Sequence, residues 1–419
     1  MKFELSNSHL QAARSLTPLA TQTFSKGPTY WPQGASPLFM CKAKGCYTWD
    51  IDGNKFCDWV MGLGAVTLGY RQRFVDDAIK RQLRRGICFS QPSMLEAVVA
   101  EGIKHLIPAA EQSYFTKTGS GACEAAIRIA RSVTGKKVVC SSGYHGWHDW
   151  YAAISDRPAG TLSELACYHR RFKYNDIADL ESQLHRGNVA AVIMEPMIVD
   201  APADGYLLAV RRLCDNYSCL LIFDEMVTGF RWPGFAAQNH FDVAPDLSCF
   251  GKGIANGMPL AAVSGREKYM LELQRVFVST TFGGECLSLA AAGATMEFMD
   301  MFCSPDYIWG LGKKLMAEFN AGCAPLKLIG YPCRPKVEFP VGMNSPEVTT
   351  LFVQEMISRG HLVHNGGLLN LSYSHTEKEV RSFVAAAAET VEILWQAIGS
   401  ENVRGFLRGA VITPAFRRL

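Results

Sequence analysis

Lys252 stands between Gly251 and Gly253 in the run LSCFGKGIANGMPL, directly after a short apolar stretch. A lysine normally keeps its charge in water. One flanked by residues without side chains can be approached closely by a ligand, and partial desolvation turns its amine into a usable nucleophile. Two other apolar runs stop at acids: VAAVIM at Glu195 and CLLIF at Asp224 and Glu225. If these runs are parallel strands, their carboxyl ends border one crevice, and the acids and Lys252 face a shared ligand. The competing role for each acid is a cap on the turn or helix that follows.

A lysine amine and a carboxylate in one cleft are what pyridoxal phosphate (PLP) chemistry requires. The amine forms a Schiff base with the cofactor aldehyde. Asp224, bonded to the pyridine nitrogen, keeps it protonated so that the ring can draw electrons from the carbon losing its proton. TGSGACEAAIRIARSV offers the phosphate an anchor. Gly119, Ser120 and Gly121 precede a helix with Cys123, Ala126, Ile127, Ile129, Ala130 and Val133 on its apolar face and Arg128 and Arg131 opposite, so backbone N–H groups meet an anion at the positive end of the helix dipole. The triplet is not a dinucleotide fingerprint, lacking the third glycine, nor a P-loop, lacking GK[ST]. SSGYHGWHDW brings Tyr144, His145 and Trp147 to the cleft edge, where an aromatic ring can cover one cofactor face. His145 and His148 have the spacing of a metal pair, but no third ligand lies at a helpful spacing and no metal is expected.

These residues need a scaffold. KKVVCSS, VAAVIMEP, SCLLIFDE, DLSCFGKG and LAAVSG alternate with helical segments, which implies an α/β fold with a mainly parallel sheet covered by helices on both faces. We expect a large cofactor-binding domain over 62–300. An N-terminal segment over 1–61, with a hairpin turning at Asp52-Gly53-Asn54, and a C-terminal part over 301–419, with the helical EKEVRSFVAAAAETVEILWQAI, close a smaller α+β domain. The 419 residues carry 42 Lys and Arg against 39 Asp and Glu, too balanced to suggest a nucleic-acid partner. No run approaches the length of a membrane helix. The start lacks the pattern of a signal peptide, and fourteen cysteines without zinc-type spacing suit a reducing compartment; a cytoplasmic protein is expected.

In order and spacing, TGSGACEAAIRIAR, YHG, MEP, FDEMVTGFR, FGKGIANGMPLAAVSGR and TTFGGECLSLAA resemble the class III, ornithine-type aminotransferases of PLP fold type I, with the glutamate-1-semialdehyde aminomutase branch nearest. The resemblance covers nearly the whole chain. It implies a homodimer with active sites at the subunit interface, a small-molecule amine donor and a carbonyl acceptor. Lys252 would be the Schiff-base and proton-shuttling residue, Asp224 the ring-nitrogen partner, and Gly119 with Ser120 the phosphate cup. Tyr144 and Val227 would cover the two ring faces, Thr281 would reach the phosphate of the neighbouring subunit's cofactor, and Glu195 would stand on the substrate side. Tyr30, Trp31 and Gln33 fall where the family's N-terminal segment covers the substrate, the alternative being core packing of the small lobe. Arg231 would meet a substrate carboxylate or hold structure. The chain departs from the family at Asn370, where many members carry an arginine, and at Gly366 or Gly367, where the aminomutases carry an acid. An aminotransferase is the leading reading; a one-substrate aminomutase or racemase, and a noncatalytic protein of the same fold, are the competitors.

Overall fold

The computed structural model describes residues 1–413. The chain forms two compact units, Arg73–Asp306 and a second built from Met1–Gln72 together with the chain from Tyr307 onward, so both chain ends contribute to one unit.

The Arg73–Asp306 unit holds a seven-stranded sheet. In chain order its strands are β1 (Gln112–Thr116), β2 (Val138–Ser142), β3 (His169–Arg171), β4 (Val189–Met194), β5 (Leu220–Asp224), β6 (Leu247–Phe250) and β7 (Ala261–Gly265). Across the sheet they lie in the order β1-β7-β6-β5-β4-β2-β3. The five strands from β6 to β3 are parallel, whereas β7 runs antiparallel to both β1 and β6. The five apolar runs become β2, β4, β5, β6 and β7. The sheet edges β1 and β3 are mixed in polarity because an edge is only partly covered.

Every residue of β4 is buried, and successive side chains enter opposite cores. Ala191 and Ile193 pack with the helix Gly119–Thr134, and Val192 and Met194 with Leu180, Leu184, Val210 and Leu213 on the other face. The helix starts at Gly119, so the triplet Gly119-Ser120-Gly121, expected to precede it, forms its first turn. Thr118 caps it by accepting the Gly121 N–H at 3.1 Å, and Gly135 ends it in the left-handed region at φ 66°. Between these ends, Ala122, Cys123, Ala126, Ile127, Ile129 and Ala130 form an apolar face whose alanines and cysteine let the helix lie close on the sheet, whereas Val133 at the last turn is exposed. Each large apolar side chain buried this way stabilises the unit by about 1.5–3 kcal/mol.

In the other unit, Tyr47–Asp50 and Lys55–Asp58 form the expected hairpin, Met40–Lys44 extends it, and His361–Leu362 adds a parallel strand. The expected C-terminal helix is Glu377–Gly399, opened by a capping box of Thr376 and Glu379. Among the described residues, no single helix is long and apolar enough to cross a membrane.

Candidate active site at the carboxyl edge of the sheet

The period of two along a strand decides which acid faces which way. Leu220 and Ile222 point toward the helix Gly119–Thr134, and Asp224 continues that series; Leu221 and Phe223 point to the opposite core, and Glu225 follows them. The two neighbouring acids therefore separate. Glu225 is fully buried and accepts from the Ala237 and Gln238 N–H groups, at 3.0 and 2.9 Å, and from the Thr228 hydroxyl. Burial pushes its carboxyl above the usual range, and these donors oppose that push. It organises the 225–238 turn and does not share the cleft expected for it.

Asp224 meets the residues the sequence had marked. His145 Nδ1 lies 2.7 Å from Asp224 Oδ2, and His145 Nε2 lies 3.2 Å from the Ser142 carbonyl oxygen, so each ring nitrogen faces an acceptor. The Cys123 thiol donates to the same Oδ2 at 3.6 Å, and the Met226 N–H donates to Oδ1 at 3.1 Å. Trp150 stacks near His145, with ring centroids 6.4 Å apart, and Tyr151 meets it edge-on. His148 turns elsewhere, its Nδ1 3.5 Å from Glu124 Oε2, so the two histidines do not form a metal pair.

One strand further along the sheet, Glu195 follows Met194 and its N–H donates to the Ser142 carbonyl. Its Oε1 accepts the Tyr144 N–H at 2.9 Å, which joins two predicted site residues. A Cβ on Gly143, at φ 103°, would come within 2.7 Å of that same oxygen, so the first glycine of SSGYHG is needed for Glu195 to sit there. Gly146, at φ 101°, passes so close to Ser120 that a Cβ would lie 2.3 Å from its Oγ and 2.9 Å from its Cα. Ser120 Oγ accepts the Trp147 N–H at 3.3 Å, which ties the aromatic loop to the helix N-terminus. Gly121 has its N–H committed to Thr118, so Gly119 and Ser120 are the first two helical N–H groups at this terminus.

Lys252 begins a short 3-10 turn just after β6, the neighbour of β5, with Asp224 paired to Cys249 in the register between them. Its backbone is left-handed at φ 41°, an uncommon state for a residue with a side chain and one that concentrates at functional sites. Gly251 lies against Met226. A Cβ there would lie 2.5 Å from the Met226 sulfur, and one on Gly119 would lie 2.8 Å from it. Met226, which the motifs did not single out, thus spans the backbone between Gly119 and the glycine before Lys252. Together with Tyr144 it is partly buried against the same core. The signal in the sequence was a pair of distant glycines, uninformative until the fold joined them. Val227 is buried, and its carbonyl accepts from Arg231 Nε at 3.2 Å. Arg231 is 1% exposed, a setting that ties it to the turn. Thr281 is exposed, close to the exposed Phe277 and Phe282 in sequence.

The second unit holds the remaining candidates. Tyr30 and Trp31 are buried against His364, with centroids 5.6 and 5.9 Å away. Gln33 Oε1 accepts from Arg14 at 3.4 Å. Asn370 is buried, and its Nδ2 donates to the Val60 carbonyl at 3.2 Å. Gly366 and Gly367 are both left-handed, and a Cβ on Gly367 would strike Val337. Cys46, Cys57 and His375 bring their ligand atoms within 4.8 Å of one another, one ligand short of a four-coordinate zinc site.

The residues at the sheet edge suit PLP in their chemistry. A buried carboxylate keeps an acceptor position, a helix N-terminus opens with two glycines, and a strained lysine follows the neighbouring strand. An α/β unit with a mixed seven-stranded sheet and this edge defines a PLP-dependent transferase of fold type I. The chain belongs to the class-III aminotransferases, whose family model matches residues 30–303. It is 33% identical to the 3-aminobutyryl-CoA aminotransferase of Cloacimonas acidaminovorans (strain Evry) over 93% of this chain and 97% of that one. It is 37% identical to the glutamate-1-semialdehyde 2,1-aminomutase of Methanothrix thermoacetophila over 63% of this chain and 66% of that one. Its fold is similar to that of the PLP internal aldimine form of the FumI protein of Sphingopyxis sp. MTA144, with a TM-score of 0.89 at 25% identity over 94% of this chain and 98% of that one.

Proposed function

We propose that this class III, PLP-dependent aminotransferase works through Lys252, Asp224 and the glycine-bounded helix terminus at 119–121, moving an amino group from a small amine or amino acid to a carbonyl acceptor. The observation that carries the reading is the buried Asp224, set among His145, Cys123 and the Met226 N–H one strand away from Lys252. PLP, when bound, supplies an electron sink for the carbon that carries the amino group. Lys252 would hold the cofactor through its side-chain amine, and the same amine would move the proton of the substrate carbon that carries the amino group. Asp224 holds the ring nitrogen's proton, and the Gly119 and Ser120 N–H groups bind the phosphate. Tyr144 covers one face of the ring, and Val227 with its neighbour Met226 the other. Glu195 lines the substrate side.

The 3-aminobutyryl-CoA relative, similar along almost the whole chain, supports donors with the amino group on the β-carbon of an acyl group. The exposed Thr281, with Phe277 and Phe282 at 85% and 60% exposure, supports a homodimer in which Thr281 reaches the partner's cofactor phosphate. Fourteen cysteines free of disulfides suit work in the cytoplasm.

Borohydride reduction of the PLP-loaded protein followed by peptide mapping tests the reading: the pyridoxyl mass is expected on the peptide containing Lys252, and its absence there refutes it. The aminomutase relative favours a second reading, a rearrangement within one substrate. Incubation with a single amino compound separates the two, because an aminotransferase stops after one half-reaction and an aminomutase turns over.

A further inference from the structure

Asp224 has an unusual inner neighbourhood. Cys123 on the helix and Cys249 on β6, the register partner of Asp224, are both buried to within 1% exposure. Cys123 is the one of the pair that bonds the carboxylate. A carboxylate offers about four acceptor positions. Of these, Oδ2 receives His145 and Cys123, and Oδ1 receives the Met226 N–H, which leaves one on Oδ1. The Cys249 sulfur, burial and the Asp224 charge all push the Cys123 thiol up from its ordinary value, so it keeps its proton and remains a donor.

We propose that Cys123 is a positioning residue for the cofactor: its thiol, backed by Cys249, is the second donor on Asp224 Oδ2 that turns the remaining position of Oδ1 toward the ring nitrogen. The proposal rests on the reading of Asp224 as the ring-nitrogen partner. A thiol suits the role because it is a weak donor, fixing the carboxylate's orientation while neutralising little of its charge. His145 anchors one side of Oδ2 with a shorter bond. Without the thiol, the carboxylate is free to turn about that anchor. The ring nitrogen's proton is then held less firmly, the ring draws fewer electrons from the imine nitrogen, and that nitrogen becomes more basic.

The test is the pH midpoint of the bound cofactor's absorbance, measured in PLP-reconstituted parent, Cys123→Ser, Cys123→Ala and Asp224→Ala. The expected order of midpoints rises from parent through Cys123→Ser, which keeps a donor on a shorter arm, to Cys123→Ala and then Asp224→Ala. PLP affinity is expected to fall about fivefold in Cys123→Ala, the loss of one modest hydrogen bond. Any other order among the Cys123 variants overturns the proposal, including equal midpoints for Ser and Ala, the mark of lost packing alone. Should Cys123→Ala not fold, Cys123→Ser against parent decides by the direction of its shift. If Asp224→Ala leaves the midpoint where it was, the ring-nitrogen reading itself has failed, whatever the Cys123 variants do.

Discussion

His145 Nδ1 and Asp224 Oδ2 stand 2.7 Å apart, with side chains 0% and 2% exposed, although 79 residues separate them in the chain. A hydrogen bond to a buried carboxylate is among the stronger polar contacts a protein makes. Removing the histidine leaves the buried Asp224 with only the Cys123 thiol and the Met226 N–H as donors. His145→Ala is expected to cost about 3 kcal/mol in urea unfolding of the PLP-free protein and to weaken PLP binding. Unchanged stability would show that the contact does not order the edge of the sheet.

Gly146 and Gly205 provide a matched pair. Both have positive φ, 101° and 73°, but a Cβ at Gly146 strikes the Ser120 backbone whereas one at Gly205 has nothing within 4 Å. Gly205→Ala should cost only the backbone strain, about 1–2 kcal/mol, and leave PLP affinity alone. Gly146→Ala should cost more and reduce PLP affinity, because the helix terminus must give way. Equilibrium unfolding and PLP titration of the two variants check the difference.

Burial lowers His169, His361 and His375 from their ordinary values, each to about 4. In the unfolded chain these rings take up protons near pH 6.5, so between about pH 6.5 and 4 the unfolded state binds more protons and stability falls as the pH falls. Each such ring contributes a slope of up to about 1.4 kcal/mol per pH unit in that window. His375→Asn should remove one ring's share of the slope. A urea midpoint that falls with acid as steeply as in the parent would rule this source out.

Glu285 caps the helix Cys286–Met301, accepting the Leu287 and Ser288 N–H groups at 2.6 and 3.2 Å, and pairs with Lys117 at 2.9 Å. Burial pushes its carboxyl up, but the Ser288 hydroxyl, Lys117 and the Leu287 N–H outweigh it and hold the group below its usual range. Its contribution is therefore complete above the ordinary carboxyl value near 4.5 and fades as the pH drops through the lowered one. Glu285→Ala is expected to lose about 1 kcal/mol at pH 7 and less at pH 3, measured by chemical denaturation at both.

Much of the site could be read in one dimension. Runs such as VAAVIM, with no polar residue to spare, announce strands covered on both faces, and an acid or lysine just beyond such a run must lie at a strand end. The helix over 119–134 carries its cap, its apolar face and its glycine stop in its own letters. The edge strands Gln112–Thr116 and His169–Arg171 were silent because partial exposure permits mixed polarity, and the reversed direction of Ala261–Gly265 left no mark because strand sense is set by partners and not by composition.

Tertiary structure alone decided the rest. Tyr30 and Trp31 pack on His364, more than three hundred residues away, and Met226 bridges two glycines from opposite ends of the site. The alternation that parts Asp224 from Glu225 is local in origin, yet which face meets the helix Gly119–Thr134 depends on how the whole sheet is covered. Periodicity and terminal signals act over a few neighbouring residues and so are written into the order of the amino acids. The companions of a carboxylate are chosen by strand register and by the helix that fills the layer above, and those exist only once the chain has closed on itself.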